Sequence, residues 1–173
     1  MKRFKLILDK IVEAENGVLA VQVAINDIQV IELDGVIDIY TDGSFTDAGC
    51  FGGFIAYKGD EEIYRHSVEV YEEKYLPARN VAGELVAAMI ATQWAKRHQH
   101  YDLVIHHDYE GVAKWITGEW GAKKPVTRDY KAFIDKMAKF GVKVKFEWVR
   151  GHNGDPKNEA IDNYISSVSG RRT

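Results

Sequence analysis

Short runs of β-branched and aromatic residues fill the first seventy positions, and beyond residue 80 the apolar positions recur at helical spacing. Three runs come first: FKLILDKIV (4–12), VLAVQVAI (18–25) and IQVIEL (28–33). Asn16-Gly17 separates the first two, and Asn-Gly between two such runs is the strongest short hairpin cue. Asp34-Gly35 then breaks the chain. The spacing predicts three further strands, 36–42, 53–58 and 62–70, joined by Gly- and Asp-rich turns. A helix follows over 81–96, with Val81, Leu85, Ala88, Met89 and Thr92 on one face. A strand at 103–107, a short helix at 111–117, a longer one at 128–140 and an alternating strand at 142–149 come next. The last helix begins at Asp155-Pro156, a good start signal, and carries Ile161, Tyr164, Ile165 and Val168 on its apolar face.

After residue 35 the order is thus β-β-β-α-β-α-α-β-α. Three hairpin-linked strands followed by strand–helix alternation predict an α/β fold with a mixed sheet, antiparallel first and then parallel through crossover helices. Two parts are expected: a β-rich extension over 1–34, as a hairpin or three-strand meander, and a main domain over 35–170. Ligands on such sheets gather at the carboxyl ends of the parallel strands.

Composition changes this picture little. The 173 residues are 46% hydrophobic and 28% charged, with 12% aromatics and a formal net charge of −3. No global positive field draws in a polyanion, so nucleic acid has to be held by a local patch. One cysteine, Cys50, excludes an intrachain disulfide framework and a cysteine-based zinc site, and it suits a cytoplasmic location. The N-terminal apolar run is interrupted by Asp9 and Lys10, so neither a signal peptide nor a membrane partner is expected.

Four acids fall where the topology converges. Asp42, followed by Gly43-Ser44, closes the first core strand, Asp108 closes the fourth, Glu84 starts the first long helix, and Asp162 sits in the last helix with Glu159 three residues before it. Singly, each has an ordinary role in a turn or at a helix end. Together, four carboxylates repel unless protonated or metal-bound. Hard oxygen ligands without cysteine select Mg²⁺ or Mn²⁺. Two such ions clamp the attacking and leaving oxygens of a phosphodiester, which points to metal-assisted hydrolysis. His152, in a Gly-flanked loop just before the last helix, suits proton transfer beside such a centre.

TDGS (41–44), NVAGEL (80–85), HHD (106–108) and GHNGDPKNEAID (151–162) resemble, in order and placement, the four active-site segments of the ribonuclease H type 1 family. The resemblance covers roughly residues 36 to 168. It implies the ribonuclease H-like fold, a mixed five-stranded sheet flanked by helices. It also implies two-metal hydrolysis of the RNA strand of RNA–DNA hybrids, leaving 5′-phosphate and 3′-hydroxyl ends. By that resemblance Asp42, Glu84, Asp108 and Asp162 hold two Mg²⁺ ions, for which Mn²⁺ can substitute, with Glu159 a further candidate ligand. His152 matches the family's loop histidine, Asn80 its minor-groove contact, and Asn158 with Glu159 its Asn-Glu pair.

Glu110 stands where the family often has Gln, and 116–130 is too short for the basic handle of many members. The region is still basic: ten Lys and Arg against four acids between Val112 and Arg150. Trp115 and Trp120 either line a DNA channel there, with Lys123 and Lys124, or belong to the core. Main-chain groups near Gly43, Ser44 and Asn80 would read 2′-hydroxyls, which distinguish RNA from DNA. His106 and His107 point to opposite faces of a strand and are read as structural. Another nuclease on the same fold and a non-catalytic binding module remain the alternatives. Residues 1–34 lie outside the resemblance. Their apolar faces need cover, and a homodimer formed through this segment is the favoured source.

Overall fold

The computed structural model describes residues 3–8, 28–33, 35–151 and 154–170, the first two segments as backbone only. The chain divides into two compact units, Met1–Gly35 and Val36–Thr173. In the first, β1 (Arg3–Leu8) and β2 (Ile28–Leu33) pair antiparallel, from Arg3 opposite Leu33 to Leu8 opposite Ile28. The expected Asn16-Gly17 hairpin and the run 18–25 lie outside the described residues.

The second unit contains β3 (Ile37–Thr46), β4 (Gly49–Lys58), β5 (Glu61–Glu69), α1 (Asn80–Arg97), β6 (Asp102–His107), α2 (Gly111–Thr117), α3 (Pro125–Lys139), β7 (Lys143–Trp148) and α4 (Pro156–Ser169). The sheet order is β5-β4-β3-β6-β7. β5, β4 and β3 are antiparallel, and β6 and β7 add in parallel. This is the mixed five-stranded sheet that the element order predicts.

Period-two alternation gives each strand two faces. Ile37 and Ile39 of β3, Phe54 and Ala56 of β4, and Leu103 and Ile105 of β6 pack toward α1 and α3, against Leu85, Ala88, Ala91, Tyr130 and Ile134. On the opposite face Tyr40, Ile55 and Tyr57 meet Ile161 and Ile165 of α4. The Tyr130 hydroxyl donates to the Val112 carbonyl at 2.7 Å and ties α3 to α2.

Five differences from the sequence reading matter. β3 does not end at Asp42 but runs on to Thr46, because β4 stays paired with it through Gly49. Cys50 therefore lies in β4 and is buried, not in a turn. The buried face of α1 is a stripe of small residues (Ala82, Gly83, Ala87, Ala88, Ala91, Ala95), while Val81 and Met89 are half-buried, because the helix is covered by both the sheet and α3. Val168 of α4 is exposed, and α3 begins at Pro125, three residues earlier than expected. Proline at a first helical position is a start signal in its own right.

Candidate active site

The parallel pairing of β3 with β6 ends at Tyr40 opposite His106. Asp42 and Asp108 each lie two residues further on, so they stand level just past the point where β3 and β6 stop pairing, Asp42 still within β3 and Asp108 one residue beyond β6. Glu84 reaches them from α1, which approaches the sheet more closely than helices usually do. The approach depends on three glycines. A Cβ at Gly43 would collide with the Glu84 amide, one at Gly52 with the Gly83 carbonyl, and one at Gly83 with the Phe51 carbonyl. The resulting helix–sheet contact drives Glu84 into the interior, where it is 3% exposed. It occupies the second turn of α1, since the helix starts at Asn80, and so has no first-turn dipole role.

One carboxylate oxygen from each of Asp42, Glu84 and Asp108 lies within 4.8 Å of the others. They line a cavity of about 170 Å³ together with Gly43, Asn80, Val81, Tyr109 and Asp162. Asp162 thus faces the same space, outside the tight three-acid group. The Thr41 hydroxyl donates to Glu84 Oε1 at 3.2 Å, and the Gly43 amide donates to Asp42 Oδ1 at 2.8 Å. Burial, then the charges of Asp42 and Asp108, raise the Glu84 pKa well above its ordinary value, against the pull of the Thr41 and Gly43 hydrogen bonds. Such a group ionises readily only when a cation neutralises the cluster. The donor set, all carboxylate oxygen, fits a hard divalent metal.

An open groove of about 300 Å³ adjoins this cavity and shares Asn80, Val81 and Tyr109 with it. Trp115, Lys123, Lys124 and Arg79 complete much of its wall. Trp120 does not line it but packs edge-on to Trp115 with ring centroids 5.5 Å apart, and Lys114 Nζ sits 5.3 Å over the Trp120 ring. Trp115 serves core and groove together, being half-buried against Tyr109. Lys114, Lys131, Lys143 and Lys145 are in ion pairs, whereas among the described residues Lys123 and Lys124 are in none.

Other expected site residues lie elsewhere. Ser44 is 1% exposed and lines neither cavity, because β3 continues through it and turns its side chain inward. Asn158 is buried in the first turn of α4, where its amide bonds to the N-cap carboxylate of Asp155 at 3.2 Å. Glu159 is exposed and stands apart from the three-acid group, at the N-terminal turn where a carboxylate complements the helix dipole. His152 lies outside the described residues; its neighbour Gly151 adjoins Asp108, and a Cβ there would sit 3.1 Å from Asp108 Oδ2. His106 bonds to Asp38 Oδ1 at 2.7 Å and stacks on Tyr40, and His107 is buried, both structural as read.

Thr41, Arg79 and Tyr109 are not singled out as site residues by sequence, and Val81 reads only as an apolar helix position, yet all four adjoin the site. Thr41 and Tyr109 adjoin two of the acids, a cue that was available. Arg79 is visible only through its backbone, with φ 53° and ψ −131°.

A mixed sheet with carboxylates gathered where its parallel strands stop pairing fits the class of metal-dependent phosphodiester-cleaving enzymes. The RNase H family model matches residues 34–169, and the chain belongs to the ribonuclease H family. Ribonuclease H of Citrobacter koseri is 32% identical over 139 residues, which cover 73% of this chain and 84% of the relative. Ribonuclease H of Paramagnetospirillum magneticum is 30% identical over 140 residues, with the same coverage. Among solved structures, RNase H1 from the halophilic archaeon Halobacterium salinarum superposes with a TM-score of 0.62 at 18% identity, over 78% of this chain and 99% of that one. LC11-RNase H1, solved in complex with an RNA/DNA hybrid, gives 0.60 at 16% identity, over 76% and 98%.

Proposed function

We propose that this ribonuclease H cleaves the RNA strand of RNA–DNA hybrids with Mg²⁺, held by Asp42, Glu84, Asp108 and Asp162. The convergence of three carboxylates from β3, α1 and β6 within 4.8 Å, beside a basic aromatic groove, carries this reading. The metal, when bound, supplies Lewis-acid stabilisation of the attacking and leaving oxygens, and Mn²⁺ fits the same donors.

The chain's own residues do the rest. Asp42 is fixed by the Gly43 amide, and Glu84 by Thr41, so the acids are oriented before substrate arrives. Asn80 and the Gly43 main chain, which line the cavity, meet the 2′-hydroxyl edge of the minor groove. Lys123 and Lys124 hold phosphates of the DNA strand, and Trp115, backed by Trp120, stacks on its sugars. LC11-RNase H1, solved with an RNA/DNA hybrid, supports the hybrid as the substrate. His152, next in the chain after Gly151 beside Asp108, moves a proton as product departs. Water adds to phosphorus and the 3′-oxygen leaves, giving 5′-phosphate and 3′-hydroxyl ends.

Residues 1–34 carry four basic and six acidic side chains, which disfavours a grip on substrate. We assign them to self-association instead, and the enzyme to the cytoplasm. No helix among the described residues is long and apolar enough to cross a membrane.

A panel of hybrid, duplex RNA, duplex DNA and single strands, with Mg²⁺ or with chelator, tests the function. Cleavage confined to the RNA of the hybrid and lost in chelator is expected. Equal cleavage of duplex DNA would overturn it.

A further inference from the structure

Cys50, the chain's single cysteine, is 1% exposed on β4 and takes no part in the chemistry above. Its Sγ lies 3.3 Å from the Arg79 carbonyl oxygen and donates its hydrogen there. Burial raises the thiol pKa, against a hydrogen bond from the Gly83 amide, so the donor proton is retained.

Arg79 has a backbone that needs holding. Its φ of 53° with ψ of −131° is a conformation that glycine enters freely and an L side chain only at a cost. Local bonds help: the Arg79 amide donates to Leu76 O and the Ala82 amide to Arg79 O, each at 2.9 Å. Both belong to the same short segment. The Cys50 thiol supplies a hydrogen bond that reaches the Arg79 main chain from another element, β4. The next residue is Asn80, first in α1 and part of the wall of both the catalytic cavity and the groove.

We propose that Cys50 is a positioning residue for substrate: its thiol latches the strained Arg79 peptide to β4 and so fixes the direction in which Asn80 enters the groove. The proposal rests on the reading of that groove as the hybrid-binding surface. A glycine at 79 would hold the turn without help. An arginine there contributes a cation to the groove wall and needs the latch.

The test is a double-mutant cycle in the full-length protein, reading KM and kcat on a hybrid, thermal midpoint, and exchange of the Ala82 amide. Cys50→Ala should raise KM roughly three- to tenfold, the range of one neutral hydrogen bond, with kcat little changed and Ala82 exchange accelerated. Cys50→Ser, which keeps a donor, should stay near wild type. In an Arg79→Gly background, Cys50→Ala should leave KM where Arg79→Gly alone puts it, because glycine needs no latch. A folded Cys50→Ala protein with wild-type KM and Ala82 exchange would overturn the latch. So would an equal rise in KM in both backgrounds, since that describes packing alone. If the wild type is inert on hybrid, the proposed function fails instead, and Ala82 exchange across the four proteins still decides the latch.

Discussion

At the scale of single residues, Glu84 concentrates the electrostatic cost of the site. Burial, then Asp42 and Asp108, hold its pKa well above 4.5. Above pH 4.5 the unfolded chain has lost this proton while the native state keeps it. Stability from this group is therefore fully present below 4.5 and is lost as pH rises through the folded value. Glu84→Gln should flatten that decline in chelator, as read by thermal midpoint against pH. Parallel profiles for the two proteins would contradict the cause given. Added Mg²⁺ should stabilise the wild type by about 2.7 kcal/mol at a hundred times its dissociation constant, and Glu84→Gln much less. His152→Ala should lower kcat on the order of 10²-fold without changing Mg²⁺ affinity in calorimetry. The four acids were legible because their spacing and surrounding motifs are distinctive. The burial of the Ser44 and Asn158 side chains and the distance of Glu159 from the three-acid group were not legible, because a motif names a residue but not the face it presents. Ser44 shows this directly: two residues of continued pairing along β3 are enough to bury it.

Between elements, the decisive contact is the meeting of α1 with β3 and β4 through Gly43, Gly52 and Gly83. Gly83→Ala forces its Cβ onto the Phe51 carbonyl, a backbone atom that cannot rotate away. It should destabilise the protein by about 1–3 kcal/mol, as overpacking does, and lower activity by pushing Glu84 off the acids. A denaturant melt paired with a turnover assay reads both effects, and an unchanged protein would show the approach to be looser than described. Asp155 holds the start of α4 by accepting from the Lys157 and Asn158 amides at 2.9 and 3.2 Å. Asp155→Ala should cost about 1 kcal/mol. That cap was readable from Asp-Pro alone. The full length of β4 was not, because its first residues, Gly49 to Gly52, read as a turn by propensity. Their strand state comes from β3 alongside and, at Gly52, from α1 above, which only the assembled fold supplies.

For the whole molecule, the mixed sheet, antiparallel first and then parallel, was legible because hairpins and crossovers in the element order leave few pairings open. The two-unit division falls at Gly35, next to the Asp34-Gly35 break. Removing residues 1–35 should leave hybrid cleavage intact and reduce the number of protomers per particle read by light scattering; an unchanged number would rule out the assigned self-association. The proposed mechanism depends above all on Asp42, which stands level with Asp108 just past the end of the β3–β6 pairing. The most direct measurement is turnover of the RNA strand of a hybrid by Asp42→Asn at saturating Mg²⁺, with folding confirmed by circular dichroism. The neutral amide should abolish cleavage in a protein that folds as well as wild type, and melts no lower in chelator. A folded Asp42→Asn enzyme turning over at close to the wild-type rate would contradict the metal-dependent mechanism.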